Sequence, residues 1–204
     1  MTPDAVWYLN RATGIVALVL MTGTILLGVV VRRQGRLPGL PRFGAVTLHR
    51  NVSLLSALLL VVHVTTAVID SYVDVGPLVA LVPFVSGWRP FAVGLGTLAV
   101  DLLALIVVTS LVRGRIPLRL WRAVHWTSYL LWPLAFAHGL TAGTDLGSGW
   151  ALAVALTCAA VVAGAAAVAW TGRRSEPTDR APAALATSTA ALASGRPVAV
   201  FRNR

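Results

Sequence analysis

Long apolar stretches are the feature that most constrains the fold of this chain. A helix needs about 20 predominantly apolar residues to cross the hydrocarbon core of a membrane. Because 57% of the 204 residues are hydrophobic and only 12% are charged, the chain is more apolar than an ordinary soluble domain. We predict an all-α, polytopic transmembrane helical bundle of about five spans, at Ala12–Val31, Ala45–Ile69, Phe91–Val112, Leu118–Thr141 and Trp150–Trp170.

A sixth apolar piece lies between the second and third predicted spans. It runs from Gly76 to Gly87 and contains Pro77 and Pro83. It is too short to cross the membrane as a helix, and proline interrupts helical hydrogen bonding. We expect a re-entrant or interfacial segment here.

The arginines predict the orientation of the spans, because basic residues near span ends are retained on the cytoplasmic side. Two of the 17 basic residues, Arg11 and Arg89, lie on one side of the predicted spans, and all the others lie on the opposite side. The N-terminus is therefore predicted outside and the C-terminus cytoplasmic. Every basic residue is arginine, a usage typical of GC-rich bacterial genomes, so a bacterial cytoplasmic membrane is expected.

The formal charge of +10 follows from the same arginines. A net positive charge is typical of proteins that bind nucleic acids. The retention of basic residues on the cytoplasmic side and attraction to anionic lipid headgroups explain it equally. We therefore expect the lipid bilayer as a partner and no nucleic acid.

The last part of the chain differs in composition. Residues 172–204 are rich in Pro, Ala, Ser, Thr and Arg, and such a segment cannot bury a core of its own. We predict a transmembrane domain at residues 1–171 and a disordered basic cytoplasmic tail at residues 172–204.

The chain has four histidines, and they form two spaced pairs. His49 and His63 are 14 residues apart in the second predicted span, and His125 and His138 are 13 apart in the fourth. At about 1.5 Å of rise per residue, these separations correspond to roughly 20 Å, so each span carries one imidazole near each face of the membrane. His49 then shares the cytoplasmic level with His125, and His63 shares the outer level with His138.

Two imidazoles on different helices at one depth can supply both axial positions of a haem iron. The sequence therefore indicates two haems. Its single cysteine, Cys158, excludes a C-x-x-C-H attachment site, so the haems are expected to be of the b type.

The direction of the side chains is a further test of this pairing. At about 100° per residue, 14 steps return almost to the same face of a helix, whereas 13 steps fall about 140° short. His125 and His138 would thus not share a face on a straight helix. Pro133 lies between them, and we expect it to permit a kink that turns both toward the second span.

The histidine spacings, the sequence L-H-R-N at Leu48–Asn51 and the aromatic stretch H-W-T-S-Y-L-L-W-P-L-A-F-A-H at His125–His138 resemble the ferric reductase-like transmembrane domain. That superfamily includes NADPH oxidases, ferric reductases and the membrane cytochrome partner of periplasmic methionine sulfoxide reductase. The resemblance covers roughly Trp7 to Thr171. It implies two stacked b haems, with His49 and His125 as metal ligands of the inner one and His63 and His138 of the outer one. This chain departs from larger members in lacking flavin and nicotinamide domains and in having five predicted spans rather than six.

Other residues are candidates for binding the cofactor. Arg50, Arg119 and Arg122 lie near the inner histidines and can pair with haem propionates, although topology alone also explains them. Trp88 and Arg89 can serve the outer haem, although interfacial anchoring explains them somewhat better. The sequence identifies no catalytic residue. The motif G-L-G-T-L-A at Gly94–Ala99 lies inside a span, so we expect it to serve close helix packing rather than nucleotide binding.

Two functions are compatible with these patterns. The first is a b-type cytochrome that passes electrons from a cytoplasmic flavoprotein reductase or a membrane quinol to an outer acceptor. It would be the haem-bearing component of an oxidoreductase system, with flavin or quinone supplied by a partner. The alternative is a non-redox membrane protein, such as a metal permease or a structural subunit, that uses histidines as metal ligands or helix contacts.

Overall fold

The computed structural model describes residues 3–33, 39, 41–70, 75–143 and 149–174. Within those ranges the regular structure is helical and no strand occurs. The prediction of an all-α membrane protein is confirmed. The helices are α1 (Pro3–Arg32), α2 (Arg42–Ile69), α3 (Pro90–Leu111), α4 (Leu118–Trp126), α5 (Ser128–Ala142) and α6 (Trp150–Arg174).

Four of these helices are long and apolar enough to cross a membrane: α1, α2, α3 and α6. The remaining predicted span, Leu118–Thr141, is divided into α4 and α5 at Thr127. The backbone N–H and the hydroxyl of Thr127 both donate to the carbonyl of Val124, at 3.0 and 2.7 Å, so the helix tightens at that point.

The interruption lies at Thr127 rather than at Pro133, where we expected it. Helix α5 continues through Pro133 without a break. The local hydrogen bonds of Thr127 compete with the regular helical ladder, and this competition is not visible in the apolar pattern from which the span was predicted.

The segment between α2 and α3 contains a short 3₁₀ turn at Pro77–Ala80. The hydroxyl of Thr97 donates to the carbonyl of Val79 at 2.8 Å, which ties the turn to α3. Phe84 has a positive φ of 67°, and its ring lies directly against Gly94, where a Cβ would collide with it. The first glycine of the G-L-G-T-L-A motif thus admits a close packing contact.

Helices α1 and α2 pack together through small residues. Ala17, Ala45 and Ser56 are each no more than 2% exposed, and the Ser56 hydroxyl donates to the carbonyl of Ala17 at 3.5 Å. Small side chains allow two helix backbones to approach closely in a membrane.

Helix α5 meets α1, α3 and α6 in a central apolar cluster. The Trp132 indole donates to the Thr22 hydroxyl on α1 at 2.9 Å, which satisfies the one polar atom of a large buried side chain. The buried members of the cluster are Met21, Ala99, Ile106, Leu131, Trp132 and Cys158.

The chain divides into two compact units, Met1–Ala165 and Ala166–Arg204. The second unit is described only in the last turns of α6. The predicted disordered tail begins at residue 172, whereas α6 continues to Arg174. The rest of the predicted tail, residues 175–204, lies outside the described residues.

Replacing Ala17 by leucine should separate α1 from α2, because there is no space for three more carbons between their backbones. Overpacking of this kind typically costs about 1–3 kcal/mol, so we expect a lower midpoint of thermal unfolding in detergent. Ala12→Leu is the matched control, since Ala12 lies on an exposed face of the same helix. Equal midpoints for the two variants would contradict a close contact at Ala17.

Candidate metal centre

The four histidines meet in two pairs. The rings of His49 and His125 have centroids 6.3 Å apart and planes at 64°, and we name them the first pair. The rings of His63 and His138 have centroids 6.3 Å apart and planes at 79°, and we name them the second pair. Helix α2 supplies one ring to each pair, while α4 and α5 supply the other two.

Three of the four imidazoles are anchored to a backbone carbonyl of a neighbouring helix. The Nδ1 atom of His49 lies 3.1 Å from the carbonyl oxygen of Thr24. The Nδ1 atoms of His63 and His138 lie 2.8 Å from the carbonyl oxygens of Asn10 and Ala92. Because a carbonyl oxygen only accepts, Nδ1 carries the proton, and Nε2 of each ring has a lone pair for a metal.

Each of these contacts is accompanied by a glycine one helical turn further along. A Cβ on Gly14 would lie 2.9 Å from the His63 ring, one on Gly28 would lie 3.4 Å from His49, and one on Gly96 would lie 2.7 Å from His138. Residues four apart share a helix face, so the carbonyl and the glycine form one docking position. We name this combination the carbonyl–glycine seat.

The Asn10 side chain reinforces the seat of His63. Its amide donates to the carbonyl of His63 at 2.7 Å and to the Thr66 hydroxyl at 3.1 Å. Asn10 therefore binds α2 through both its backbone and its side chain. This double contact restricts sliding of α1 along α2 at the second pair.

His125 has no carbonyl–glycine seat. Its Nδ1 is buried and has no hydrogen-bond partner among the described residues, and no described glycine touches its ring. Instead the ring stacks on Trp121 of the same helix, with centroids 4.8 Å apart and planes at 23°. The Trp121 indole donates to the Ser110 hydroxyl at 3.4 Å, and the Arg113 guanidinium lies 4.3 Å from the Trp121 ring centroid.

The ring separations leave room for one metal ion between the two imidazoles of each pair. A metal–imidazole bond is about 2.0–2.1 Å long and the ring centroid lies about 1.1 Å beyond the nitrogen, so two rings that held one metal ion on opposite sides would have centroids about 6.3 Å apart. Among the described residues there is no group of three or more His, Cys, Asp or Glu side chains that could hold a metal ion alone. A pair of imidazoles thus suits a metal whose other ligands come from a macrocycle, as in haem.

A cavity of about 340 Å³ adjoins the second pair. His63 and His138 line it together with their glycines, Gly14 and Gly96. Most of its other lining residues are apolar, and Arg11 is a charged side chain among them. An apolar cavity with a few polar groups is the usual form of a cofactor site.

The predicted cofactor-binding residues differ in their placement. Trp88 is partly buried and lines the cavity. Arg89 is exposed; it donates to the carbonyl of Thr141 at 2.8 Å and lies over the Trp88 ring at 5.1 Å. Arg50, Arg119 and Arg122 are exposed on α2 and α4, and the structure does not bring them together with a histidine ring.

Sequence reasoning missed Gly14, Gly28, Trp121 and Arg113, whereas Gly96 lies in the motif that was expected to serve close helix packing. One signal for the glycines was present, because Gly14 and Gly28 are 14 residues apart, as are His49 and His63. Two antiparallel helices with matching spacings can meet at both positions. No comparable spacing marked Trp121.

One comparison with known proteins agrees with the all-α membrane fold. The family model described as ferric reductase like transmembrane component matches residues 13–136, which is more than half of the chain. The chain belongs to this family. Three of the four histidines lie within the match and His138 lies just beyond it. No curated protein and no solved structure matches the chain.

Family membership supports the coarser functional prediction. The chain is a multi-span membrane protein of a family of transmembrane electron-transfer components, and domains of this family generally bind haem. The number and type of haems, the partners and the direction of transfer belong to the proposal below.

The seats predict opposite effects for a glycine replacement that meets a histidine ring and for one that does not. Gly14→Ala should displace the His63 ring, and Gly96→Ala should displace His138; Gly28→Ala should perturb His49 less, because its contact is longer. Gly23→Ala is the control, since a Cβ there meets nothing within 4 Å. In helices, alanine otherwise stabilises by about 0.5–1 kcal/mol relative to glycine.

The measurements are the midpoint of thermal unfolding and the amount of haem b retained after purification. Gly14→Ala and Gly96→Ala should lower both, whereas Gly23→Ala should leave the haem content unchanged. If Gly14→Ala behaved like Gly23→Ala, the close contact with His63 would not matter for the site.

Proposed function

We propose that this chain is a transmembrane b-type cytochrome that carries electrons across the cytoplasmic membrane through two haems, each held by two histidines. The observation that carries the proposal is the pair of ring separations, 6.3 Å in both cases. His49 and His125 would hold one haem, and His63 and His138 the other. When bound, the haems supply one-electron chemistry.

The protein contributes ligand geometry and exclusion of water. Hydrogen bonds from Nδ1 to backbone carbonyls hold His49, His63 and His138 and leave Nε2 of each ring available for iron. Such hydrogen bonds fix the ring orientation and make the imidazole a more basic ligand. Between the two levels, the stacked rings of Trp132 and Phe136, with centroids 5.0 Å apart, belong to or pack against the central apolar cluster. This packing supports a dry path between the two levels.

The proposed direction follows from the arginines. If the basic loops face the cytoplasm, the first pair lies near the cytoplasmic surface and the second pair near the outer surface. Arg50, Arg119 and Arg122, exposed on α2 and α4, then lie toward the cytoplasmic surface, where they can attract an acidic flavoprotein or haem propionates. Trp88 lies at the outer level, and electrons would leave there for an outer acceptor.

The electron donor is either a cytoplasmic flavoprotein or a membrane quinol. The exposed arginines favour the flavoprotein, because charged surfaces steer a partner of opposite charge. A role as a metal permease is supported less well. A permease site usually adds carboxylates or thiolates to imidazole, and the described residues bring no such group into a cluster with these rings.

Stoichiometry tests the proposal. A pyridine haemochrome assay on the purified chain should give two non-covalent b haems per polypeptide, both low-spin because both axial positions are filled. His63→Ala should remove mainly the second-pair haem and His49→Ala mainly the first-pair haem. One haem or none in the unaltered chain would refute the assignment.

Replacement of Arg119 and Arg122 by glutamine tests the donor side. Haem reduction by an acidic cytoplasmic flavoprotein should slow, and the slowing should shrink at high salt, since salt screens exposed charges. Stopped-flow absorbance measures the rate, with Arg89→Gln as the control that removes one charge at the other end. An unchanged rate in the double variant would place electron donation elsewhere, at a quinol site among the spans.

A further inference from the structure

The first pair is asymmetric, and the second pair is not. Both rings of the second pair occupy carbonyl–glycine seats, through Asn10 with Gly14 and through Ala92 with Gly96. In the first pair, His49 has such a seat, and His125 has only a stacking contact with Trp121. The consequence for ligand binding rests on the function proposed above.

A seat acts on a metal ligand in two ways. The hydrogen bond from Nδ1 stops the imidazole from rotating, and it makes Nε2 more basic and so a stronger ligand. No carbonyl stops the His125 ring from rotating or makes its Nε2 more basic. Stacking on Trp121 orients the plane of the ring but adds no electron density to Nε2.

The backbone that carries His125 is also the least continuous part of the ligand framework. Helix α4 has nine residues, follows Pro117 and ends at the interruption at Thr127. His125 lies two residues before that interruption. A small displacement of α4 therefore moves His125 without moving His49 or His138, which lie in α2 and α5.

A cation also lies near His125. Arg113 lies over Trp121 and so places a cation close to the stack that holds His125. A nearby cation opposes positive charge on the metal and its ligands. It favours the ferrous state at the first pair, and ferrous iron binds small neutral ligands.

We propose that His125 is an exchangeable ligand, so that the reduced iron at the first pair accepts a small neutral diatomic molecule in its place. In this exchange the bond from iron to His125 Nε2 breaks, one bond from iron to the incoming molecule forms, and no electron is transferred. The second pair stays closed, because seats hold both of its rings. The chain thus has one site for a diatomic ligand and one site for electron transfer only.

Carbon monoxide is the probe. The full-length chain, reduced with dithionite in detergent, is titrated with carbon monoxide while the Soret band is recorded. About half of the haem should form the carbonyl complex. If two b haems are present and neither binds carbon monoxide, or both do, the inference is wrong while the proposed function stands; a chain without haem would refute the proposed function itself.

Double variants assign the binding level. His63→Ala/His138→Ala removes both ligands of the second pair, and the haem that remains should bind carbon monoxide. His49→Ala/His125→Ala removes the first pair, and the haem that remains should not. The reverse result would place the exchangeable position at the second pair and overturn the inference.

Trp121 is a positioning residue in this scheme. Trp121→Leu should raise the affinity for carbon monoxide a few-fold and add a high-spin signal to the electron paramagnetic resonance spectrum of the oxidised protein. Trp126→Leu is the matched control, because Trp126 lies on the same helix, is 52% exposed and makes only a tilted ring contact with Tyr129. Equal affinity in the Trp121 and Trp126 variants would contradict the role of Trp121.

Discussion

The fold depends on the need of three imidazoles, His49, His63 and His138, for a hydrogen-bond acceptor in a medium without water. The carbonyls of a helix already accept one bond from within the helix, but each oxygen has a second lone pair. A ring from a neighbouring helix reaches that lone pair only if the two backbones approach closely. Glycine at the next turn allows this approach, and the contacts of His63 with Gly14 and of His138 with Gly96 show how close it is.

These contacts also set the register of the helices. In α1 and α2 the two glycines and the two histidines have the same spacing, and the helices run in opposite directions, so Gly14 meets His63 while Gly28 meets His49. Sliding one helix by a residue would break both contacts together and leave two polar rings without acceptors in an apolar region. One pair of contacts thus positions the whole of α2, which carries one ring of each histidine pair.

Much of this arrangement could be predicted from the sequence because it depends on spacing along helices. Apolar length predicts the spans, and the separations of the histidines predict which rings share a depth. The interruption at Thr127 could not be predicted in this way, since it arises from two hydrogen bonds to Val124 rather than from the proline that follows. The missing seat of His125 depends on which residues of α3 face α4, and that is a tertiary contact with no local pattern.

The different number of hydrogen-bonded rings in the two histidine pairs affects the energetics of electron transfer between them. Hydrogen bonds that make axial ligands more basic favour ferric iron and lower the reduction potential, so the second pair, with two such bonds, should hold an electron less tightly than the first. In the proposed orientation, transfer outward is then uphill between the haems. A membrane potential that is negative inside opposes this difference, because an electron that crosses about two thirds of the membrane gains roughly 1.5 kcal/mol per 100 mV.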